Sequence, residues 1–296
     1  EYWIGHGVRV FRVDNPHTKA LPFWEWVIGE IRRARPEVIF LAEAFTRPKL
    51  MYSLAKLGFN QSYNYFPWRN TKHELTEYLK ELSKPPVKEL FRANLWPNTP
   101  DILPQVLQIG GRPAFMQRLI LAATLGTSYG IYGPAFELLE NKPLKSGSEE
   151  YLNSEKYEIR HWDLNQPGNL TELITRVNRI RRENRALDSN EHLTFHPTDN
   201  EQLIAYSKAT DSLDNVILTV VNLDLHYVHS GWVNVILDKL GIEPGTNYQV
   251  HDLLTDERFL WHGGRNYIEL NPHALPAHIF RVRRHVRSEQ DFDYFN

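Results

Sequence analysis

Val38-Ile39-Phe40-Leu41-Ala42 is an unbroken apolar run that closes on an acid, Glu43. A strand with water on one face alternates polar and apolar residues. A run without alternation needs cover on both faces, as parallel strands have when helices pack above and below them. The flanking sequence obeys the same constraint. An apolar run at residues 7–13, a helical pattern at 23–35, the run at 38–42 and a second helical pattern at 48–57 read as strand, helix, strand, helix. A helix at 113–125, a short strand at 128–132 and a basic helix at 173–185 extend the α/β part. After about residue 193 the grammar changes to strands separated by turns, at 203–208, 216–223, 232–237, 248–254, 267–270 and 278–282. That spacing predicts an all-β antiparallel sandwich. The expected division is therefore 1–188 for the α/β part, 189–285 for the sandwich and 286–296 for a charged, aperiodic tail that reads as disordered. Residues 1–4 lead into the first strand with no capping helix, so the chain reads as opening inside a domain.

Composition excludes several classes of function. With 34 Lys and Arg against 36 Asp and Glu, the net charge of −2 advertises neither a nucleic acid nor an anionic membrane as partner. The absence of cysteine removes disulfides, thiolate nucleophiles and cysteine-bound metals, and fits a reducing compartment, the cytoplasm. No secretory leader pattern opens the sequence. The uncharged window at 119–136 has the length of a membrane span, but Gly126, Ser128, Gly130, Gly133 and Pro134 crowd its second half. A buried helix followed by a short strand suits it better. An aromatic share of 12% suits a protein that handles flat, hydroxylated ligands such as sugars.

The chemistry sits where strands finish. A period of two places Arg12 and Asp14 on one face at the carboxyl end of the first strand, and Glu43 ends the next, 29 residues later, about one βαβ unit. Ligands of parallel α/β sheets bind at that end. Pro16 is expected to hold Asn15 extended, so that the chain does not wind Asp14 into a helix. A third acid, Asp101, follows another apolar approach in Trp96-Pro97-Asn98-Thr99-Pro100-Asp101. Paired carboxylates across a sugar are what glycosyl transfer needs, one attacking the anomeric carbon and the other protonating the leaving oxygen. The bland alternative is a buried Arg12–Asp14 ion pair with Glu43 capping a helix.

At these residues the sequence resembles the α-amylase family, glycoside hydrolase family 13. The stretches that carry the likeness are Val10-Phe11-Arg12-Val13-Asp14-Asn15-Pro16-His17-Thr18-Lys19, Phe40-Leu41-Ala42-Glu43-Ala44-Phe45-Thr46-Arg47-Pro48 and Asn98-Thr99-Pro100-Asp101. Their wording, with Gly58-Phe59-Asn60-Gln61-Ser62-Tyr63 and Glu155-Lys156-Tyr157-Glu158-Ile159-Arg160, is that of the branch of maltosyltransferases that extend α-1,4-glucan from α-maltose 1-phosphate. The resemblance implies Asp14 as nucleophile, Glu43 as general acid/base and Asp101 as transition-state stabiliser. It implies that Arg12 keeps Asp14 ionised, that Asn15 reaches the phosphate and that Lys156 and Tyr157 contact the donor sugar. It further implies no cofactor or metal, and a homodimer for the full-length protein. Pro100 stands where the wider family has His before the third acid, which argues against an ordinary starch hydrolase. A complete (β/α)₈ TIM barrel takes about 250 residues, so the expected fold is a partial barrel, strands four to eight, followed by the sandwich. The chain reads as a C-terminal portion, inactive by itself. A retaining pair requires carboxyls about 5 to 5.5 Å apart.

Two other functions compete: a related α-glucan hydrolase or transglycosylase, told apart by phosphate release, and a non-catalytic glucan-binding fragment. Other motifs are weaker. His226 and His229 fall on opposite faces if extended, against a metal site. Gly110-Gly111-Arg112 lacks the Lys of a phosphate loop and reads as a helix lead-in. Arg176, Arg179, Arg181, Arg182 and Arg185 are expected to be solvated or paired with acids. Trp232 and Trp261 suit either a glucan platform or core packing.

Overall fold

The computed structural model describes residues 1–284 of the 296, so the expected tail at 286–296 lies outside the described residues. A short helix α1 (Tyr2–Gly5) precedes β1 (Val10–Asp14), α2 (Leu21–Ala34), β2 (Ile39–Glu43), α3 (Pro48–Lys56) and β3 (Gln61–Ser62). Then come α4 (Lys72–Leu82), α5 (Val87–Leu90), β4 (Asn94–Leu95), α6 (Gln105–Leu125), β5 (Ser128–Tyr129), α7 (Gly133–Glu137) and α8 (Thr171–Glu183). β1, β2 and β3 form a parallel sheet in that order, and β4 pairs in parallel with β5. A parallel bridge between Ser62 and Ala93 continues the series from β3 towards β4. Five short parallel segments thus follow one another in chain order, each with its carboxyl end on the same side.

The remaining strands are antiparallel: β6 (Thr194–His196), β7 (Leu203–Ala209), β8 (Val216–Asn222), β9 (His229–Asn234), β10 (Asn247–Asp252), β11 (Arg258–His262), β12 (Arg265–Leu270) and β13 (Ala277–Arg283). Six of them build a sheet in the order β11-β10-β13-β8-β7-β6, and β12 with β9 forms a second. Every residue of β7 and β8 is buried, where a sandwich strand with one wet face would alternate. Both faces are covered. Leu203, Ala205, Leu218 and Val220 point into a core shared with Val233 and Ile268 of the small sheet. Ile204, Tyr206, Ile217 and Val221 join Phe115, Leu119, Ala122 and Val177 of the helical layer. The apolar core therefore continues across the 3₁₀ turn at Arg185–Asp188 where the strand grammar changes.

Several details differ from the sequence reading. The opening residues form α1, not a direct lead into a strand, because Ile4 is buried with Ile28 and Val38. The first strand starts at Val10, and the strand expected at 128–132 spans two residues. The helix expected from residue 113 starts at Gln105 and breaks at Gly111, where φ is 55° and ψ −155°. That left-handed break restarts the helix and lets Pro113 sit in its first turn, where no N–H is missed. Strands β6 and β11 escaped the pattern; β11 is an edge strand with four of five residues exposed. Of the basic face on α8, Arg176 bonds the Leu253 carbonyl and Arg181 the carbonyls of Ala123, Gly126 and Thr127, so neither pairs with an acid. Trp261 is a core residue, 7% exposed, while Trp232 lies under the Arg265 guanidinium. His229 is taken up by Asp224 and Asn200. Among the described residues no helix is long and apolar enough to cross a membrane.

The buried His196 ties β6 to the rest of the sheet: its Nδ1 accepts from the Ile236 N–H at 3.2 Å, and its Nε2 meets Ser207 Oγ at 2.9 Å. An imidazole that accepts at Nδ1 is neutral, and burial pushes its pKa down to about 4. A folded-state value below the ordinary 6.5 makes this stabilisation complete above pH 6.5 and lost as pH falls towards 4. We expect unfolding free energy from urea titrations to fall by roughly 3 kcal/mol more across that window in the wild type than in His196→Asn. Equal slopes in the two proteins would remove His196 as the sensitive group.

Candidate active site

The register that pairs β1 with β2 sets Asp14 beside Glu43. β1 presents Phe11 and Val13, half-buried, to the helical side, and Val10, Arg12 and Asp14 to the opposite face. Glu43 is only 4% exposed, between buried Ala42 and Ala44. The main chain holds the strand ends together, the Asn15 N–H donating to the Glu43 carbonyl at 3.0 Å. Asn15 itself is left-handed, with φ 45° and ψ 50°, and not extended as the following proline led us to expect. Its short amide side chain tolerates that region. The chain turns at once into the 3₁₀ segment Pro16–Thr18, and the Trp24 indole fixes the turn by donating to the Pro16 carbonyl at 2.7 Å. Asp14 is thus kept out of a helix by another route than the one foreseen.

Asp101 comes from the segment after β4. Thr99 and Ile102 exchange main-chain hydrogen bonds and leave Pro100 and Asp101 at the tip of a tight turn, where Asp101 N–H donates to Thr99 Oγ1 at 3.2 Å. The fully buried Asn98 anchors it, donating to the Tyr151 hydroxyl at 2.8 Å and accepting from the Tyr132 N–H at 2.9 Å.

Arg12 joins these pieces. Its Nη2 lies 2.6 Å from Glu43 Oε1 and 2.8 Å from Asp101 Oδ2. The expected Arg12–Asp14 pair is not formed, because side chains two apart on a strand run side by side while the guanidinium reaches across to the next strand. Lys156 closes the cluster with an ion pair to Asp101. Its loop is moored by the Tyr132 hydroxyl and the Trp162 indole, both bonded to the Glu155 carboxylate, and by Arg160, which pairs with Glu140 at 2.9 Å. Tyr157, the next residue, stands 78% exposed outside the cluster. Asn15 is exposed beside Asp14.

The Glu43 carboxyl is pushed up to about 7, first by burial and then by a hydrogen bond with Asp14, with Arg12 pulling the other way. At neutral pH the site therefore holds a carboxyl divided between its acid and base forms, in contact with a second carboxyl on an open face. Such a pair can deliver a proton and later take one back.

Sequence reasoning missed a layer of side chains under Arg12. Tyr63 lies with its ring 5.7 Å from the guanidinium carbon and stacks on Trp96, centroids 4.9 Å apart and planes at 13°. Gly130 touches Trp96 so closely that a Cβ there would lie 2.3 Å from Cζ2. These residues directly follow β3, β4 and β5, as Asn15 and Ala44 follow β1 and β2; strand-end position is the signal that could have found them.

Residues 195–282 match the family profile described as "GLGE, C-terminal". A protein of Chlorobaculum tepidum named alpha-1,4-glucan:maltose-1-phosphate maltosyltransferase is 54% identical over 95% of this chain and 43% of its own length. The like-named protein of Salinibacter ruber is 50% identical over 98% of this chain and 43% of its length. The chain thus spans less than half the length of these relatives. Among solved structures, an Anoxybacillus alpha-amylase superposes with a TM-score of 0.74 over 97% of this chain and 62% of its own, at 13% identity. The alpha-amylase of Geobacillus thermoleovorans, complexed with acarbose, gives 0.69 over 95% of this chain and 62% of its own, at 12% identity. The fold is that of the α-amylases, and by sequence the chain belongs to the maltosyltransferase family within them.

Proposed function

We propose that these residues are the C-terminal part of an enzyme that moves a maltosyl unit from α-maltose 1-phosphate to the non-reducing end of an α-1,4-glucan, with phosphate as the other product. In this reading β1 to β5 are strands four to eight of a (β/α)₈ barrel, the antiparallel sheets form the C-terminal sandwich, and the work is cytoplasmic glucan synthesis without cofactor or metal. The observation that carries it is the contact between Asp14 and a buried Glu43 whose pKa is raised to about 7, in a chain 54% identical to a relative of that name.

The chemistry follows from the placement. The Asp14 carboxylate attacks the anomeric carbon as the bond to the phosphate oxygen breaks, and Glu43 in its acid form gives that oxygen a proton. Asp14 is then covalently glycosylated. Glu43, now a carboxylate, takes the proton of the glucan 4-hydroxyl as its oxygen displaces Asp14, which returns the acid form for the next cycle. Asp101, charged and paired to Arg12 and Lys156, supports the cationic sugar of the transition state. Asn15 is assigned to the phosphate, and Lys156 and Tyr157 to the donor sugar.

Two outcomes test this in the polypeptide of the relatives' length. Glu43→Ala given α-maltose 1-phosphate should gain one maltosyl unit in intact mass, more slowly than the wild type forms it, because phosphate can still leave without the acid whereas release of the glycosyl-enzyme requires the base. An adduct that persists in the Asp14→Ala, Glu43→Ala double variant would remove Asp14 as nucleophile. With Glu43 near 7, the two half-reactions should also depend on pH in opposite senses. Formation of the adduct uses the acid form and slows above about pH 7; transfer to glucan uses the base form and slows below it. Rapid-quench rates that respond to pH in the same sense would contradict the double role.

A further inference from the structure

Arg12 uses a single nitrogen, Nη2, for both Glu43 and Asp101, and its side chain is 29% exposed. The other side chain against it is Tyr63. Two contacts through one nitrogen leave a guanidinium free to rotate about its own end, so something else must define its plane. Below it lies Tyr63, 3% exposed, then Trp96 stacked on Tyr63, then Gly130 against Trp96. The four members come from four different parallel segments, Arg12 from the middle of β1 and the others from just after strand ends. The Tyr63 N–H donates to the Ala42 carbonyl at 2.9 Å and the Gly130 N–H to the Leu95 carbonyl at 3.1 Å, so the backbone of the stack is fixed by the pairing itself.

We infer that the Tyr63–Trp96 stack, seated on Gly130, is a positioning element that holds the Arg12 guanidinium between Glu43 and Asp101. The inference rests on the reading of Glu43 as acid/base for its functional meaning. Its physical basis is separate. A cation over an aromatic face is attracted by the ring quadrupole, and a ring locked by a second ring cannot turn its edge to the cation. At residue 130 any side chain would collide with Trp96, so glycine there leaves room for the stack.

The groups that face Glu43 are few. Asp14 and Arg12 reach it from β1, Tyr63 from the end of β3, and Asp101 with Lys156 through Arg12. Arg12 is the one that favours the charged form of Glu43 at contact distance, while Asp14 and burial oppose it. Letting Arg12 drift therefore raises the Glu43 titration point, whereas a general loosening of the site would admit water and lower it. The two causes move the same observable in opposite directions.

Isotope-edited infrared titration of the Glu43 carboxyl, with Glu43→Gln as the subtraction reference, reads that point without substrate. In the full-length protein Gly130→Ala should raise it by about one pH unit, the lower range for losing an adjacent cation. Where Gly130→Ala does not fold, Trp96→Leu, which leaves Tyr63 and strand pairing in place, should do the same. Tyr63→Phe keeps the ring and should leave the titration within a few tenths of a unit. Phosphate release from α-maltose 1-phosphate should fall about tenfold in kcat in the first two variants, with the donor KM moving less. Folded Gly130→Ala or Trp96→Leu protein with an unmoved or lowered Glu43 titration overturns the inference, whatever its activity. A wild type that releases no phosphate, with the titration shifting as described, removes the maltosyl reading and leaves the positioning element standing.

Discussion

The contact of Arg12 with two acids on different segments is the interaction on which the site depends. Asp14, Glu43 and Asp101 converge at one sheet end, and like charges so close cannot all remain ionised without a counter-charge. Arg12 supplies it for Glu43 at 2.6 Å and for Asp101 at 2.8 Å, and Lys156 adds a second cation on Asp101. Glu43 is nevertheless raised, because burial outweighs the guanidinium. The balance matters more than either part: with less burial Glu43 would be an ordinary carboxylate, and without Arg12 it would be mostly protonated at neutral pH and seldom available as base.

Elsewhere in the molecule buried cations serve main-chain carbonyls in place of acids. Arg118 is fully buried on α6, donates to the carbonyls of Arg69 and Phe66, and lies 4.0 Å from the Phe66 ring centroid. Lys208 on β7, 1% exposed, reaches the Leu187 carbonyl at 3.0 Å and that of Gly126 at 3.5 Å. Burial pushes Arg118 down to about 9 and Lys208 well below its ordinary value. Removing such ions from water costs several kcal/mol each, so the arrangement is not there for stability alone. The carbonyls that Lys208 and Arg181 meet at Gly126 and Thr127 follow the C-terminal end of α6, where the helix dipole is negative. These two cations join the helical layer to β7 and α8, and Arg118 grips the loop whose Tyr65 and Trp68 pack on Phe45, two residues beyond Glu43. The acid is steadied from behind as well as from the side.

Much of this was legible. The apolar run before Glu43 located β2 to within a residue, and the period of two put Arg12 and Asp14 on one face, because strand pattern and strand end are local properties. What Arg12 binds was not legible, since it depends on a neighbouring strand and a turn 89 residues away. Nor was the full burial of β7: Lys208 in Leu-Ile-Ala-Tyr-Ser-Lys-Ala reads as a solvent-facing residue, and only the carbonyls beyond it explain its place. The Tyr63–Trp96–Gly130 layer joins residues 33 and 34 apart with no shared periodicity. Short elements such as α1 and β6 owe their form to the surface they cover, which no window of sequence contains.

Arg12 apart, which lies in the middle of β1, every side chain in the acid cluster and the layer beneath it comes from a parallel strand end, the residue just after one, or, for Asp101 and Lys156, a loop tied to those ends. In a parallel sheet the backbone at such a position is fixed by ladder hydrogen bonds on the strand side, while the side chain projects past the last pair into open space. Rigidity and exposure, which normally exclude each other, coexist there. A carboxylate on a free loop would be exposed without being held, and one in mid-strand would be held without being reachable. The same position serves core and site in turn: Ala44 and Gly130 stand at equivalent points, the first 2% exposed and packed in the core with Phe40 and Ala42, the second in close contact with Trp96. Substitutions in this layer therefore change what the site binds and how it titrates before they change how the sheet pairs, whereas substitutions at Phe40 or Ala42 act in the reverse order.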